Sequence, residues 1–143
     1  MNLKEHFFTS IILTVVMYFF VGWYSLWAFV GGYLIDSDHY LWSLYATRSL
    51  SIKKAYKAHF GRHNNENYER DLLHIFHTWE FWVVIVAGAI VSHLAGLKFF
   101  YYMFTITFLG MEMHLAIDFN DLYKKKHFDS RAMSFFAWLN RKR

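Results

Sequence analysis

The sequence predicts an all-α integral membrane protein with about four transmembrane helices, arranged as two hairpins with a cytoplasmic amphipathic helix between them. Of its 143 residues, 56% are hydrophobic and 22% are aromatic, which is more apolar surface than a soluble domain of this size hides easily. These residues come in long blocks, as membrane spans do, and not at the 3.6-residue spacing of an amphipathic helix. Basic residues collect at the edges of the blocks. We therefore expect a single membrane domain over 1–143.

The first hairpin is predicted over 7–35. Residues 7–21 are apolar and uncharged, Gly22 permits a tight turn, and residues 23–35 form a shorter second arm. The N-terminus has neither the basic region nor the cleavage site of a secretory signal peptide. One long tilted helix over the whole stretch is the alternative.

A polar loop is predicted over 40–70. It carries six Lys and Arg residues but only two acids, Glu66 and Glu69. Within it, residues 52–60 place apolar side chains at helical spacing with lysines between them. That pattern is typical of an amphipathic helix on a membrane surface.

The second hairpin is predicted from spans over 71–94 and 99–119, joined by a very short turn. A run of three lysines after the last span marks the membrane edge, and a tail over 122–143 contains a short helix. Fourteen of the fifteen Lys and Arg residues lie at the N-terminus, in the loop or in the tail, and Lys98 is the exception. The positive-inside rule then places both termini and the loop in the cytoplasm, in a multi-pass protein of the cell (inner) membrane.

Histidines and carboxylates form four clusters on that same side. An ionisable group at the centre of a span costs roughly 2.5–3.5 kcal/mol on insertion scales, so such groups usually mark functional sites. The candidate metal ligands are His6, Asp36, Asp38, His39, His74, His77, His114 and Asp118. Asp38 and Glu80 are also candidate catalytic groups, with Glu80 as a general base or a further ligand.

The chemistry of these clusters favours a divalent metal. Neutral imidazole and carboxylate suit zinc first, with manganese or iron as alternatives. The candidates exceed the needs of one ion, so we expect one or two ions, with the remaining groups supporting the ligands. His74 and His77 are expected to share a helix face, as are His114 and Asp118. Purely structural interpretations stay open: interfacial histidines, capping aspartates and a hydrogen-bonded pair.

At these residues the chain resembles the YdjM-like family of small inner-membrane proteins, which are classed as membrane-bound metal-dependent hydrolases. His6 matches an early histidine of that family, and Gly31 to His39 matches a Gly-rich helix end that runs into Asp-x-Asp-His. His74 and His77-Thr78 resemble a later element, a His followed by Thr-His-Ser, and His114 to Asp118 matches a His-x-x-x-Asp element. The chain departs from the family at Ile35, where proline is usual, and at Trp79-Glu80.

The resemblance and the clusters together favour a membrane-embedded metal-dependent hydrolase with its site at the cytoplasmic face. A lipid or lipid-like phosphoester or ester is the expected substrate, because lipids reach that depth directly. The alternatives are a diiron-type oxidoreductase, a metal-ion or proton transporter, and a metal-stabilised scaffold without catalysis. Membrane lipids are expected partners, nucleic acid is not, and an oligomer is possible.

Overall fold

The computed structural model describes residues 3–51, 53–54, 73–125 and 132–142, and within them every regular element is helical. This confirms the all-α class. The α-helices are α1 (Leu3–Val21), α2 (Leu26–Gly32), α3 (Ser37–Thr47), α4 (Trp79–Leu94), α5 (Lys98–Lys125) and α6 (Phe135–Lys142). Short 3₁₀ turns lie at Gly22–Ser25, Leu34–Asp36 and Ile75–His77.

The chain divides into two compact units. The helical unit comprises Met1–Ile35 and Phe81–Lys126, and the loop-and-tail unit comprises Asp36–Glu80 and His127–Arg143. The single membrane domain expected over 1–143 stays a prediction.

Helices α1 and α2 form a hairpin within the helical unit. The chain turns at Gly22, whose φ of 61° is in the left-handed region that glycine adopts readily. Phe7, near the start of α1, contacts Phe29 and Tyr33 at the end of α2, with ring centroids 6.0 and 5.2 Å apart. The stretch 7–35 therefore reverses direction, as the hairpin interpretation expects. Its second arm is interrupted, since α2 ends at Gly32 and a 3₁₀ turn follows.

The hairpin packs on α5 through glycines that leave no room for a side chain. A Cβ atom on Gly31 would overlap the backbone carbonyl of Thr107, and one on Gly110 would overlap the carbonyl of Ala28. The backbones of α2 and α5 are thus in direct contact. This contact fixes the end of α2 against the part of α5 that carries the predicted ligands.

Polar side chains outnumber apolar ones in the interior, and large apolar side chains lie on the surface, which is the opposite of the usual distribution in a soluble protein. Among the described residues, the buried side chains comprise six hydrophobic and twelve polar or charged ones. Large apolar side chains face outward instead, for example Phe19 at 82% exposure and Phe20 at 78% on α1, and Leu94 at 78% on α4. Exposure of so many large apolar side chains is unfavourable in water.

One helical stretch of the described chain, Leu3–Trp42, is long and apolar enough to cross a membrane by length and composition. Only 6% of its apolar window is buried. Helix α4 is apolar but has 16 residues. Helix α5 has 28 residues, but tyrosines, threonines and ionisable groups lower its mean hydropathy. The predicted number of four spans is therefore not established.

The third span was predicted to start at residue 71, and the structure shows that this start is wrong. Helix α4 begins at Trp79, and not near residue 71. His74 and Thr78 are both extended, with φ, ψ of −116°, 101° and −83°, 149°, and the Thr78 hydroxyl donates to the Ile75 carbonyl at 2.8 Å. His74 therefore precedes the 3₁₀ turn and His77 is its last residue, so the two histidines do not share a helix face.

The predicted loop over 40–70 begins later than expected. Residues 40–47 belong to α3, and Arg48, which follows the helix, has a left-handed φ of 47°. Apart from residues 53–54, the predicted amphipathic helix over 52–60 lies outside the described residues. The tail helix is observed as α6, shorter than the predicted segment.

Candidate metal centre

Three of the predicted ligands meet inside the helical unit. His6 comes from α1, and His114 and Asp118 lie one turn apart on α5. The His6 Nε2 atom lies 3.1 Å from Asp118 Oδ1, and the His114 Nε2 atom lies 3.3 Å from Asp118 Oδ2. All three side chains are at most 1% exposed. We call these residues the buried triad.

The ring of His114 is oriented by a backbone group. Its Nδ1–H donates to the Gly32 carbonyl at 2.8 Å, so in the neutral ring the Nε2 atom carries the lone pair. That lone pair faces Asp118 Oδ2. Two acceptors at this distance repel unless a proton or a cation lies between them. A histidine held through one nitrogen with the other turned toward a carboxylate is typical of a metal ligand.

His6 lies against His114 in a stacked arrangement, with ring centroids 4.1 Å apart and planes 23° apart. Its backbone is fixed locally, because the Ser10 hydroxyl donates to the His6 carbonyl at 2.6 Å. Neither ring nitrogen makes a hydrogen bond within the described part of the chain. A buried nitrogen without such a bond costs about 1–3 kcal/mol, and coordination of a cation would remove that cost.

The other five predicted ligands meet in the loop-and-tail unit. We call them the Asp38 group; they are Asp36, Asp38, His39, His74 and His77. Their exposures range from 2% to 7%.

Asp38 holds this group together. Its Oδ2 atom accepts from the His77 Nδ1–H at 3.0 Å and from the Phe76 backbone N–H at 3.1 Å. The His74 Nδ1 atom lies 3.8 Å from Asp38 Oδ1. Because Asp38 occupies the Nδ1 atom of His77, the lone pair of the neutral His77 ring is on Nε2.

Asp36 supplies the second carboxylate. Its Oδ1 atom lies 3.3 Å from His39 Nε2 and 3.8 Å from His77 Nε2. The rings of His39 and His74 are also close, with centroids 3.7 Å apart. Ligand atoms of Asp38, His39 and His74 all lie within 4.8 Å of one another. Carboxylate and imidazole at these separations match the ligand sets of zinc, manganese and iron.

Glu80 has different partners from those expected. Its Oε1 atom accepts from the Ser134 hydroxyl at 2.6 Å and from the Phe136 N–H at 3.3 Å, and its Oε2 atom accepts from the Phe135 N–H at 3.1 Å. These donors lie at the start of α6, so Glu80 caps that helix. Its catalytic role stays a prediction, and the function proposed below does not use it.

Sequence reasoning missed the groups that orient the ligands. The Gly32 carbonyl and the Phe76 N–H belong to the backbone, and no side-chain pattern identifies them. Ser134 lies just before α6, where a serine often caps a helix, but the sequence predicted the tail helix from residue 131 and so gave Ser134 no such role. Glu112, which the sequence left out of the ligand set, is exposed.

No family model, curated protein or solved structure matches this chain.

Proposed function

We propose that the protein is a membrane-embedded metal-dependent hydrolase in which the buried triad and the Asp38 group are separate sites for a divalent ion, with one or both of them occupied. One observation carries this proposal. His114 and His77 are each fixed through Nδ1, and each turns Nε2 toward a buried aspartate. Imidazoles arranged in this way are ready to coordinate without rearrangement.

The ligand types support hydrolysis. A divalent ion held by imidazole and carboxylate acts as a Lewis acid and lowers the pKa of water toward neutrality. Asp36 and Asp38 lie in the less closed set, at 7% and 6% exposure, against at most 1% for the triad. We therefore propose that substrate is hydrolysed at the Asp38 group and not at the buried triad. In it, Asp38 positions His77 and is the candidate general base.

The exposed apolar surface supports a membrane location. The side chains of Phe8, Ile12 and Phe19 on α1 are 61%, 62% and 82% exposed. Burial in lipid would remove the free-energy cost of exposing these apolar side chains to water. The arrangement of basic residues favours cytoplasmic termini in the cell membrane. The resemblance to the YdjM-like family is part of the same proposal. A lipid or lipid-like phosphoester or ester is the proposed substrate, since a site at the membrane surface meets such bonds directly.

A metal-stabilised scaffold is the second candidate, and the closure of the buried triad favours it. His6 lies on α1, and its partners lie on α5, so an ion held between them would tie the two helices together. Full burial is the usual state of structural metal sites, whereas catalytic sites keep one position open.

The test combines metal content with activity. The full chain is purified in detergent, loaded with Zn²⁺, Mn²⁺ or Fe²⁺, and assayed by elemental analysis. Release of phosphate and of fatty acid is then measured on mixed micelles of phosphatidic acid. Asp38→Asn is compared with Glu112→Gln, which removes an exposed charge of the same kind. We expect one or two equivalents of metal and hydrolysis that only Asp38→Asn abolishes. Bound metal without hydrolysis on either bond would support the scaffold instead, and no bound metal with any ion would refute both.

A further inference from the structure

Among the described residues, four hydrogen bonds join the tail helix α6 and the two residues before it to the start of α4. Besides the three bonds to Glu80, the Trp79 backbone N–H donates to the Met133 carbonyl at 3.1 Å. The Ser134 hydroxyl, which donates to Glu80, also accepts from the Ala137 N–H at 3.1 Å. We call this arrangement the Glu80 clamp. It satisfies the first amides of α6, which have no acceptor within the helix itself.

The clamp holds a segment that exposes part of its apolar surface. Met133 and Phe136 are 65% and 61% exposed, and Trp79 on the other side of the clamp is 55% exposed. The charged residues of α6 are Arg141 and Lys142, both basic and both in its last turn. Helix α6 therefore combines a hydrophobic beginning with a cationic end.

From these features we infer that α6 docks on an anionic lipid surface, held in place by the Glu80 clamp. Amphipathic helices with aromatic side chains and basic residues bind the headgroup region in this way. Each basic residue near such a surface contributes about fivefold to its occupancy. The helix carries no acid to oppose this attraction. The inference rests on the proposed membrane location and is independent of the proposed hydrolysis.

The absence of cysteine in this chain permits a site-specific test. Ala137 is exposed on α6, so Ala137→Cys is labelled with a polarity-sensitive fluorophore in the full chain. The labelled protein is reconstituted into nanodiscs of phosphatidylcholine alone or with about one third phosphatidylserine. Leu97→Cys, in the exposed turn between α4 and α5, carries the same label as a control.

We expect a blue shift of the Ala137→Cys label in anionic nanodiscs only, and its loss at high salt, where surface attraction is screened. Arg141→Gln should lower occupancy about fivefold, and Phe136→Asp should abolish the shift. Arg48→Gln, which removes an exposed charge elsewhere, should leave it unchanged. These positions are exposed, so folding is retained, and circular dichroism checks this.

Three results would overturn the inference. The first is an equal shift in neutral and anionic nanodiscs, and the second is a shift that survives Phe136→Asp. The third is a blue shift that depends on protein concentration and not on lipid charge. That result would mean that α6 binds a second copy of the chain. Metal content and hydrolysis are measured on the same samples. If the wild type neither binds metal nor hydrolyses lipid, the proposed function is refuted, but the fluorescence result still tests lipid binding by α6.

Discussion

The Nδ1–H of His114 donates to the Gly32 carbonyl at 2.8 Å, which ties the centre of α5 to the last residue of α2. The bond decides which nitrogen of His114 faces Asp118. It also makes the geometry of the buried triad depend on how closely the α1–α2 hairpin approaches α5. Packing and ligand orientation are therefore linked at this point.

Gly32→Ala should weaken metal binding without removing a ligand. A Cβ atom at this position would lie 2.5 Å from the Ser10 hydroxyl oxygen and 3.2 Å from the Met113 Cε atom. The resulting shift would move the carbonyl that holds His114. Losses of supporting groups of this kind typically cost 10–100-fold in metal affinity. Competition with a chelating dye measures the affinity.

Ser10→Ala provides a matched rescue of that variant. Removing the hydroxyl leaves the Ser10 Cβ atom as the nearest atom of that residue, 3.2 Å from the added methyl group. The double variant should therefore bind metal more tightly than Gly32→Ala, while Ser10→Ala alone should cost less affinity than Gly32→Ala, because it removes only the bond to the His6 carbonyl. Equal affinities for Gly32→Ala and the double variant would mean that Ser10 does not transmit the effect.

Gly110→Ala should destabilise the helical unit. The added Cβ atom would overlap the Ala28 carbonyl, a backbone group that cannot turn aside. Overpacking of this kind typically costs about 1–3 kcal/mol. Gly88→Ala is the matched control, because there the new atom would meet the ring of Phe104 at 2.8 Å, and a side chain can rotate. Thermal unfolding in detergent compares them, and a larger loss for Gly88→Ala would contradict the assigned contact.

Asp38→Asn should release metal and disorder the turn before α4. The carboxylate accepts from the His77 Nδ1–H and from the Phe76 amide through the same oxygen, Oδ2. A neutral asparagine oxygen at that place would hold both donors about half as strongly and would attract a cation less. Elemental analysis should show reduced metal content, and hydrogen exchange at Phe76 should be faster than in wild type. Glu112→Gln should match wild type in both measurements. Normal metal content in Asp38→Asn would remove the Asp38 group from the metal centre.

The sequence predicted much of the candidate site because the ligand side chains have distinctive chemistry. His114 and Asp118 were paired correctly from their four-residue spacing, since α5 is regular there. The pairing of His74 with His77 on a helix was wrong. The extended Thr78 ends the 3₁₀ turn, and α4 starts after it. Thr78 beside His77 gave too weak a local signal to place the start of α4.

The grouping of ligands from distant segments depends on contacts that no local pattern encodes. His6 reaches Asp118 because α2 lies in backbone contact with α5 and α1 folds back on α2. The glycines that permit this approach, Gly31 and Gly110, are 79 residues apart in sequence. Gly31 was noted only as part of a Gly-rich helix end. The hairpin at Gly22 was easier to anticipate, because the apolar run was too long for one untilted span.

Glu80→Gln distinguishes the capping role seen in the structure from the catalytic role suggested by the sequence. Glutamine keeps one accepting oxygen, while the carboxylate uses both: Oε2 for Phe135, and Oε1 for Ser134 and Phe136. Hydrogen exchange at Phe135 and Phe136 should therefore accelerate, while metal content and hydrolysis stay near wild type. Glu112→Gln, at an exposed position of α5, should change none of these. If hydrolysis disappears in Glu80→Gln while metal content and tail exchange are unchanged, Glu80 acts in the reaction and the capping role is secondary.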